Sequence, residues 1–558
     1  MATSQISDSI RSRIAYDGVR TPVKTGLFLI VCLAWIIPGL VGHDPWKGEE
    51  AVAFGIVSEI LRLNDWSLLQ IAGEPYPGKA PLFFWVAAAL GKLLQSWIPL
   101  HDAARLAAGL FMSATLACIS FAAFELMGER AMRICVLLFI GCVGLLIRAH
   151  EMSSDLAGLT GIALGLYGLA LSIRRPKLAG VMLGAGAGVA FLGDGFLPLA
   201  MLTVTAIALP LAAPAYRTRS YATTAGIALL CALPLLALWP ALLAANPKAD
   251  LAGWLARATT SRWSGDEAAR TGLQDTVYFV KILPWYAWPA WPLAAWSLWR
   301  ARKNLAERRD LQMPFVAFLV FLVLVSIFGE AREINALPLL LPLSLLGVAE
   351  IDTLKRGAAS ALDWFGVTTF FLLAAMIWIA WVASLTGSPE AVAVLVQREV
   401  PTFKYPFSFL PFAFAALLTL VWLVVVARSL RTTRRALVNW AAGITMVWML
   451  VMTLGVPAID HARTYRGVGQ ALAEKLPTGY LCAIGVNVGD GQRVLLNRYA
   501  GIFFQRAEGQ YANVCKARIV QASPDRIPPA EPGWTELWRG SRPGDKTELF
   551  VLYARDKK

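Results

Sequence analysis

The chain has 558 residues, of which 57% are hydrophobic and only 16% are charged. Soluble globular proteins carry about 25% charged residues, so this composition excludes a soluble enzyme, and it excludes a disordered or fibrous chain as well. The 21 Trp residues, many of them at the ends of apolar runs, are typical of the aromatic belts of a membrane protein. Apolar runs of about 20 residues favour a polytopic α-helical protein over an outer-membrane barrel, whose strands alternate.

The net charge of +14 comes from Lys and Arg residues that cluster in short loops between the apolar runs. This distribution follows the positive-inside rule and indicates cytoplasmic loops, with no nucleic-acid partner. Residues 1–25 are polar and basic, and they precede the run 26–42 without a small-residue cleavage site. The sequence therefore predicts a retained signal-anchor helix and a cytoplasmic N-terminus, most simply in a bacterial inner (plasma) membrane.

Fourteen apolar segments are candidates for membrane helices. They are 24–42, 81–98, 103–126, 131–147, 156–173, 178–193, 196–213, 222–244, 276–298, 312–328, 335–350, 362–386, 406–428 and 436–456. If all of them crossed, the later basic clusters would face outward. The clusters face inward if 81–98 lies at the outer interface instead, and this segment is short and contains Lys92. We therefore expect thirteen transmembrane helices, with the C-terminus outside.

This topology places six loops and the C-terminal tail on the outer face. The loops are 43–102, 148–155, 194–195, 245–275, 329–334 and 387–405. The expected domains are 1–456, a transmembrane domain with interfacial helices in 43–102, and 457–558, a small periplasmic α/β domain. In the tail we expect a helix at 459–476 and strands at 480–488, 493–496, 514–520, 536–539 and 549–553. Cys482 and Cys515 lie in the tail and could form one disulfide outside the cytoplasm.

Two further patterns have ordinary structural explanations. Gly184, Gly186 and Gly188 follow no strand, so helix packing explains them better than a phosphate loop. Arg105 lies near a helix start, where we expect its guanidinium to extend along the surface to the interface.

The first outer loop contains most of the residues that suggest chemistry. Glu49 and Glu50 begin an apolar-periodic stretch, which predicts an interfacial helix with acidic residues at its N-terminus; for Glu50 this favourable interaction with the helix dipole is a sufficient explanation. Tyr76 and Lys79 follow in a turn flanked by Pro. Such a lysine either extends its ammonium to the interface or binds an anionic lipid phosphate.

These residues resemble a known family. The first outer loop contains an acidic pair, then Asp65-Trp66, then the motif G-x-P-Y-x-x-K-x-P-L-x-x-W at residues 73–85. This order of motifs resembles the integral-membrane C-type glycosyltransferases (GT-C fold), especially the aminoarabinose transferase and protein O-mannosyltransferase superfamily. The thirty residues from Glu49 to Lys79 match the family spacing. The resemblance covers most of the chain and is most specific in the first 110 residues. It implies thirteen helices and transfer of a sugar from a polyprenyl-phosphate carrier to a lipid, glycan or protein acceptor at the outer leaflet.

The resemblance also implies roles for individual residues. The catalytic positions correspond to Glu49 and Asp155, and the substrate-binding candidates that match the family pattern are Lys79, Tyr76, Arg332 and Asn335, with Glu50 as the second acid of the pair. Arg262 and Arg270 are further substrate-binding candidates because of their place in an outer loop. Arg262 and Arg270 lie in the loop 245–275, where surface solvation explains them equally well. Lys79 and Arg332 would neutralise the leaving phosphate, and Glu49 would accept a proton from a hydroxyl acceptor or position a phosphate acceptor. This scheme requires no cofactor, and no cluster of residues supports a divalent metal.

Four positions depart from the family pattern. Glu49 stands where the family has Asp, Gly78 where it often has an acid, Asp194 where relatives often have Lys, and Asn335 where Tyr is common. These changes leave the sugar and the acceptor open.

The sequence thus predicts a glycosyltransferase that moves a sugar from undecaprenyl phosphate to a lipid or glycan such as lipid A or lipopolysaccharide, surrounded by membrane lipids. A protein O-glycosyltransferase is the alternative within this class. A lipid-linked glycan transporter, or a non-catalytic protein that binds polyprenyl lipid, is the alternative of another class. A transporter should show inverted repeats and charges at mid-membrane, whereas here the ionisable residues concentrate at one face.

Overall fold

The computed structural model describes residues 22–46, 48–260, 277–428, 434–477, 479–506, 514–527 and 531–555. In these ranges the chain is mostly helical. The helices are, in chain order, α1 Pro22–Ile36, α2 Glu49–Leu63, α3 Leu82–Leu94, α4 Leu100–Met127, α5 Glu129–Ile140, α6 Asp155–Leu171, α7 Pro176–Asp194, α8 Phe196–Ala212, α9 Arg219–Ala245, α10 Leu251–Thr260, α11 Tyr278–Tyr286, α12 Ala290–Ala301, α13 Arg309–Phe328, α14 Leu337–Ala349, α15 Arg356–Thr386, α16 Glu390–Glu399, α17 Phe409–Arg428, α18 Arg435–Leu450, α19 Val456–Arg463, α20 Arg466–Glu474 and α21 Asp490–Ala500.

The strands form two sheets. They are β1 Gln70–Ile71, β2 Glu74–Pro75, β3 Ala483–Val486, β4 Phe504–Arg506, β5 Ala517–Ala522, β6 Trp534–Gly540 and β7 Leu549–Arg555. Strands β1 and β2 make a short antiparallel ribbon in the first loop. The C-terminal sheet has the order β4-β3-β5-β7-β6, with β3 parallel to both of its neighbours and the remaining pairs antiparallel. The expected fold class, a polytopic helical membrane protein with a small C-terminal α/β domain, is confirmed.

Seven helices of the described ranges are each long and apolar enough to cross a membrane, or eight if the bent pair 129–140 and 143–150 is one span. Several shorter apolar helices accompany them, so the number thirteen stays a prediction. Segment 81–98 forms α3, whose 13 residues extend about 20 Å, less than the hydrocarbon core of about 30 Å. Its interfacial position stays a prediction, because α14, which is expected to cross the membrane, has the same length.

Some expected helices are interrupted. The segment 276–298 is two helices, α11 and α12, which meet at Trp288 and Pro289. Proline lacks the N–H that a continuous helix needs, so the single helix expected there was wrong. The segment 131–147 bends by 64° beyond α5.

The C-terminal domain corrects two local predictions. Residues 493–496, expected as a strand, lie inside α21, because Gly489-Asp490-Gly491 begins a helix and Gly501 ends it in the left-handed conformation at φ 64°. The expected helix at 459–476 is divided into α19 and α20 at Thr464. Cys482 and Cys515 form a disulfide with their Cα atoms 4.9 Å apart.

Helices α6 and α7 pack unusually closely through small residues. A Cβ on Gly186 would lie 2.5 Å from the backbone nitrogen of Gly165, and a Cβ on Gly193 would lie 2.4 Å from the backbone nitrogen of Gly158. Such contacts need glycine on both helices, so the glycine pattern serves helix packing as expected. The close approach brings the first residue of α6, Asp155, and the last residue of α7, Asp194, to the same end of the bundle.

Candidate active site

Glu49 is the first residue of α2 and lies between two cations. Its carboxylate is 3.0 Å from Lys79 Nζ and accepts a hydrogen bond of 2.8 Å from Arg332. The preceding Gly48 has φ 106°, a conformation that favours glycine, and this turn sets the direction in which α2 begins. The two predicted phosphate-binding residues, Lys79 and Arg332, therefore both contact the predicted catalytic carboxylate of Glu49.

The charges of this cluster shift the proton affinities of its members. Burial alone would raise the pKa of Glu49, but the positive charges of Lys79 and Arg332 outweigh burial and lower this pKa from 4.5 to about 2. Burial would lower the pKa of Lys79, but the carboxylates of Asp155, Glu49 and Asp194 raise it above its usual value. At neutral pH Glu49 is thus a carboxylate and Lys79 an ammonium.

A tight ribbon holds the turn that carries Lys79. Strands β1 and β2 are joined by Ala72 and Gly73, which both have positive φ and make the two-residue turn of a hairpin. The backbone N–H of Tyr76 donates to the carbonyl of Leu69 at 2.8 Å and extends the ribbon by one bond. Lys79 follows three residues later, and its side chain is only 20% exposed. Burial raises the pKa of Tyr76, whose phenol lies near Lys79 and Glu49.

Asp155 and Asp194 lie close enough to Lys79 for their charges to act on its ammonium. Asp155 begins α6 and accepts a hydrogen bond from the hydroxyl of Ser153. A Cβ on Gly158 would lie 2.6 Å from the Cβ of Asp194, so glycine at this position allows the second carboxylate to approach. Both acids line a small cavity together with Asn335. Asp194 was not among the predicted site residues, although the resemblance had already marked its position as one where relatives often have Lys.

Arg332 and Asn335 enter the site from a loop that is distant in sequence. Residues Glu333–Ala336 form a single 3₁₀ turn before α14. Asn335 donates to the carbonyl of Glu330 at 3.0 Å, and Arg332 also contacts the carboxylate of Glu330 at 3.4 Å. The side chain of Arg332 is 52% exposed, so it has room to rearrange when an anion binds.

Other predicted residues lie elsewhere. Glu50 points away from Lys79: it is 4% exposed and accepts 2.6 Å and 3.0 Å hydrogen bonds from Arg105 and from the backbone N–H of Trp46. Arg105 is fully buried and also binds Asp102 at 2.7 Å, so its expected extension to the interface was wrong. Two carboxylates and two backbone carbonyls satisfy this guanidinium inside the protein. Arg262 and Arg270 lie outside the described residues.

The arrangement suits a reaction in which a phosphate leaves. Lys79 and Arg332 present adjacent positive charges to one anion, and Glu49, Asp155 and Asp194 present carboxylates within the same cluster. Within the described ranges, no group of three or more His, Cys, Asp and Glu side chains has the geometry of a metal site.

Comparison with known proteins supports the fold. No family model matches the chain. It is 24% identical over 503 residues to an undecaprenyl phosphate-alpha-4-amino-4-deoxy-L-arabinose arabinosyl transferase from Serratia proteamaculans, covering 87% of this chain and 86% of that one.

Two crystal structures of ArnT from Cupriavidus metallidurans superpose on the chain at 17% identity, covering 95% of this chain and 97% of theirs. The TM-score is 0.66 for the structure with undecaprenyl phosphate bound and 0.64 for the apo state. The chain therefore has the GT-C fold of these ArnT structures, and the resemblance seen in its first outer loop is confirmed across most of its length.

Proposed function

We propose that this protein is a membrane glycosyltransferase that moves a sugar from a polyprenyl-phosphate carrier, such as undecaprenyl phosphate, to a lipid acceptor such as lipid A. One observation carries the proposal: Glu49 is held between Lys79 and Arg332, at 3.0 and 2.8 Å. A carboxylate in this position occupies the place of an anion, and a phosphate can replace it. The similarity to an arabinosyl transferase that uses undecaprenyl phosphate supports the same donor class.

The reaction follows from these charges. The acceptor oxygen attacks the anomeric carbon of the sugar, the bond from this carbon to the phosphate oxygen breaks, and its electron pair stays on the phosphate. Lys79 and Arg332 stabilise the charge that develops there. When the phosphate takes these two cations, Glu49 loses its ion pairs and its pKa rises towards the usual range. It then becomes a better base for the proton of a hydroxyl acceptor, and Asp155 orients that acceptor.

An apolar groove along α3, the helix that follows Lys79 in the chain, suits the carrier chain. It has a volume of about 620 Å³ and is lined by Asp65, Trp66 and Ser67 of the first outer loop, by Trp85, Val86 and Ala89 of α3, and by Leu242 of α9. Helix α3 begins three residues after Lys79, so a lipid whose phosphate binds Lys79 has an apolar surface at hand for its first isoprene units.

We further propose an inner-membrane orientation with the N-terminus cytoplasmic, a transmembrane domain over residues 1–456 and a periplasmic domain over residues 457–558. The disulfide between Cys482 and Cys515 supports an oxidising compartment for the tail. The site draws Glu49, Asp155, Asp194 and Arg332 from four loops that charge parity assigned to one face. A C-terminal alkaline phosphatase fusion should be active in intact cells, and an inactive fusion would overturn this orientation.

The test of function is a transfer assay in lipid nanodiscs with undecaprenyl-phosphate sugars and lipid A. Glu49→Gln and Lys79→Ala should both lose transfer. Glu59→Gln, on the same helix and paired with Arg62, and Lys92→Ala, exposed on α3, should keep it. Wild-type protein that binds undecaprenyl phosphate but transfers no sugar to lipid A would contradict the proposal, and transfer to a protein acceptor would redirect it.

A further inference from the structure

The C-terminal domain contacts both segments that build the site. Helix α21 packs on α2, which begins with Glu49: Val494 fills the space beside Gly55, and a Cβ on Gly491 would lie 3.2 Å from the Cβ of Ala51. Ala51 is fully buried and belongs to the hydrophobic core of the C-terminal domain, together with Leu495. The helix that carries the predicted catalytic acid is therefore an integral part of that domain's core.

Helix α21 also contacts the β1–β2 ribbon, which precedes the turn that contains Lys79. Arg493 of α21 lies 3.2 Å from the carboxylate of Glu74, in β2, and 3.5 Å from Asp490, one turn earlier in its own helix. The Arg493 side chain is 7% exposed, whereas the Glu74 side chain is 34% exposed. Glu74 precedes Lys79 by five residues. The backbone hydrogen bond from Tyr76 to Leu69 joins the ribbon to the start of the turn, so a shift of the ribbon moves the turn with Lys79.

We propose that Arg493 and Glu74 are positioning residues that set the place of Lys79 relative to Glu49, and that the C-terminal domain thereby tunes the affinity for the donor phosphate. The inference rests on the proposed function, because Lys79 is taken to bind that phosphate. Helix α21 contacts the segments of both Glu49 and Lys79: apolar packing fixes α2, which begins with Glu49, and the Arg493–Glu74 ion pair holds the β1–β2 ribbon. Loss of this ion pair loosens the ribbon and the turn with Lys79, and it leaves the packing of α2 intact.

This geometry predicts a specific kinetic signature. In Arg493→Ala the ribbon loses its ion pair with α21, so Lys79 samples positions away from Glu49 and Arg332. We expect the KM for the undecaprenyl-phosphate sugar, and the Kd for undecaprenyl phosphate, to rise about fivefold to tenfold. The melting temperature should stay near that of the wild type, because α21 still packs on α2 through Val494. Glu74→Gln should give the same result from the other partner.

The test compares these variants in one detergent preparation of the full-length protein. The double variant Glu74→Arg with Arg493→Glu, made together with Asp490→Asn to remove the like charge 3.5 Å from position 493, restores the attraction with reversed charges and should recover most of the wild-type KM. Arg493→Lys should recover part of it. Arg539→Ala is the matched control, since it removes an exposed arginine of the same domain that is paired with Glu536 at 2.6 Å.

The outcomes separate the two proposals. An Arg493→Ala protein with wild-type KM, or with a lower melting temperature as its only change, would overturn the positioning role. A charge-reversed pair that fails to recover KM would overturn it too. If Lys79→Ala binds undecaprenyl phosphate as well as the wild type does, the donor site itself is misplaced and both proposals fail. If Lys79→Ala loses binding while Arg493→Ala and Glu74→Gln retain it, the proposed function stands and only the positioning role falls.

Discussion

If Lys79 and Arg332 bind the donor phosphate as proposed, Glu49 competes with it for these two cations, and this competition can be measured. In the free protein, Glu49 binds Lys79 and Arg332 at 3.0 and 2.8 Å. A phosphate that enters must displace the carboxylate from at least one of them. The substitution Glu49→Gln removes the competing charge and nearly keeps the shape of the side chain. We therefore expect the variant to bind undecaprenyl phosphate more tightly while it loses transfer.

The size of the effect follows from the ion pairs. A fall of the Glu49 pKa from 4.5 to about 2 corresponds to about 3 kcal/mol of extra stabilisation of the carboxylate, at about 1.4 kcal/mol per pKa unit. Only some of this is recovered on phosphate binding, because Arg332 is 52% exposed and solvent screens its contribution. Taking about 1 to 2 kcal/mol, the Kd for undecaprenyl phosphate should fall about fivefold to thirtyfold.

The assay measures two quantities on each protein. Titration of purified protein with undecaprenyl phosphate, followed by tryptophan fluorescence, gives Kd, and a radiolabelled sugar donor gives the transfer rate. Loss of a proton acceptor should lower kcat about 10²- to 10⁴-fold. Glu59→Gln should change neither quantity. Weaker phosphate binding in Glu49→Gln would refute the competition, and retained transfer would refute the role of Glu49 as a base.

Three further results are expected. The pKa of Glu49 is lower in the folded protein, so the stability that its ion pairs provide is present above pH ~4.5 and is lost as the pH falls towards ~2. When the free energy of unfolding is measured as a function of pH, Glu49→Gln should therefore lose less stability in acid than the wild type. Identical curves for the two proteins would contradict this. Gly158→Ala places a Cβ 2.6 Å from that of Asp194 and should destabilise the protein by about 1 to 3 kcal/mol, as measured by thermal unfolding. The control Gly226→Ala, at an open position, should not. Equal melting temperatures of the two variants would refute the close packing. Cys482→Ser should lower the stability of the C-terminal domain by about 2 to 4 kcal/mol, seen as faster proteolysis of the tail, and unchanged proteolysis would show that the disulfide contributes little.

The local chemistry of the site was largely predictable from the sequence. Composition and hydropathy are properties of the chain itself, and they were sufficient for the membrane class and the small domain at the C-terminus, whereas the interfacial position of α3 stays a prediction. A motif within one loop marked Glu49 and Lys79 as candidate site residues, and the structure shows that they form an ion pair. Charge parity placed Asp155 and Arg332 on the same face, because the position of a loop depends only on how many helices cross before it.

Tertiary packing decided the remaining features. Arg332 meets Glu49 across 283 residues of sequence, and Asp194 reaches the site only because glycines let α6 and α7 approach. Glu50 turned inward to Arg105, one residue away from an acid that faces the site, since successive helical residues point in directions about 100° apart. Which cation each of two adjacent carboxylates meets depends on the neighbours that fold against the helix, and periodicity within one segment carries no information about them.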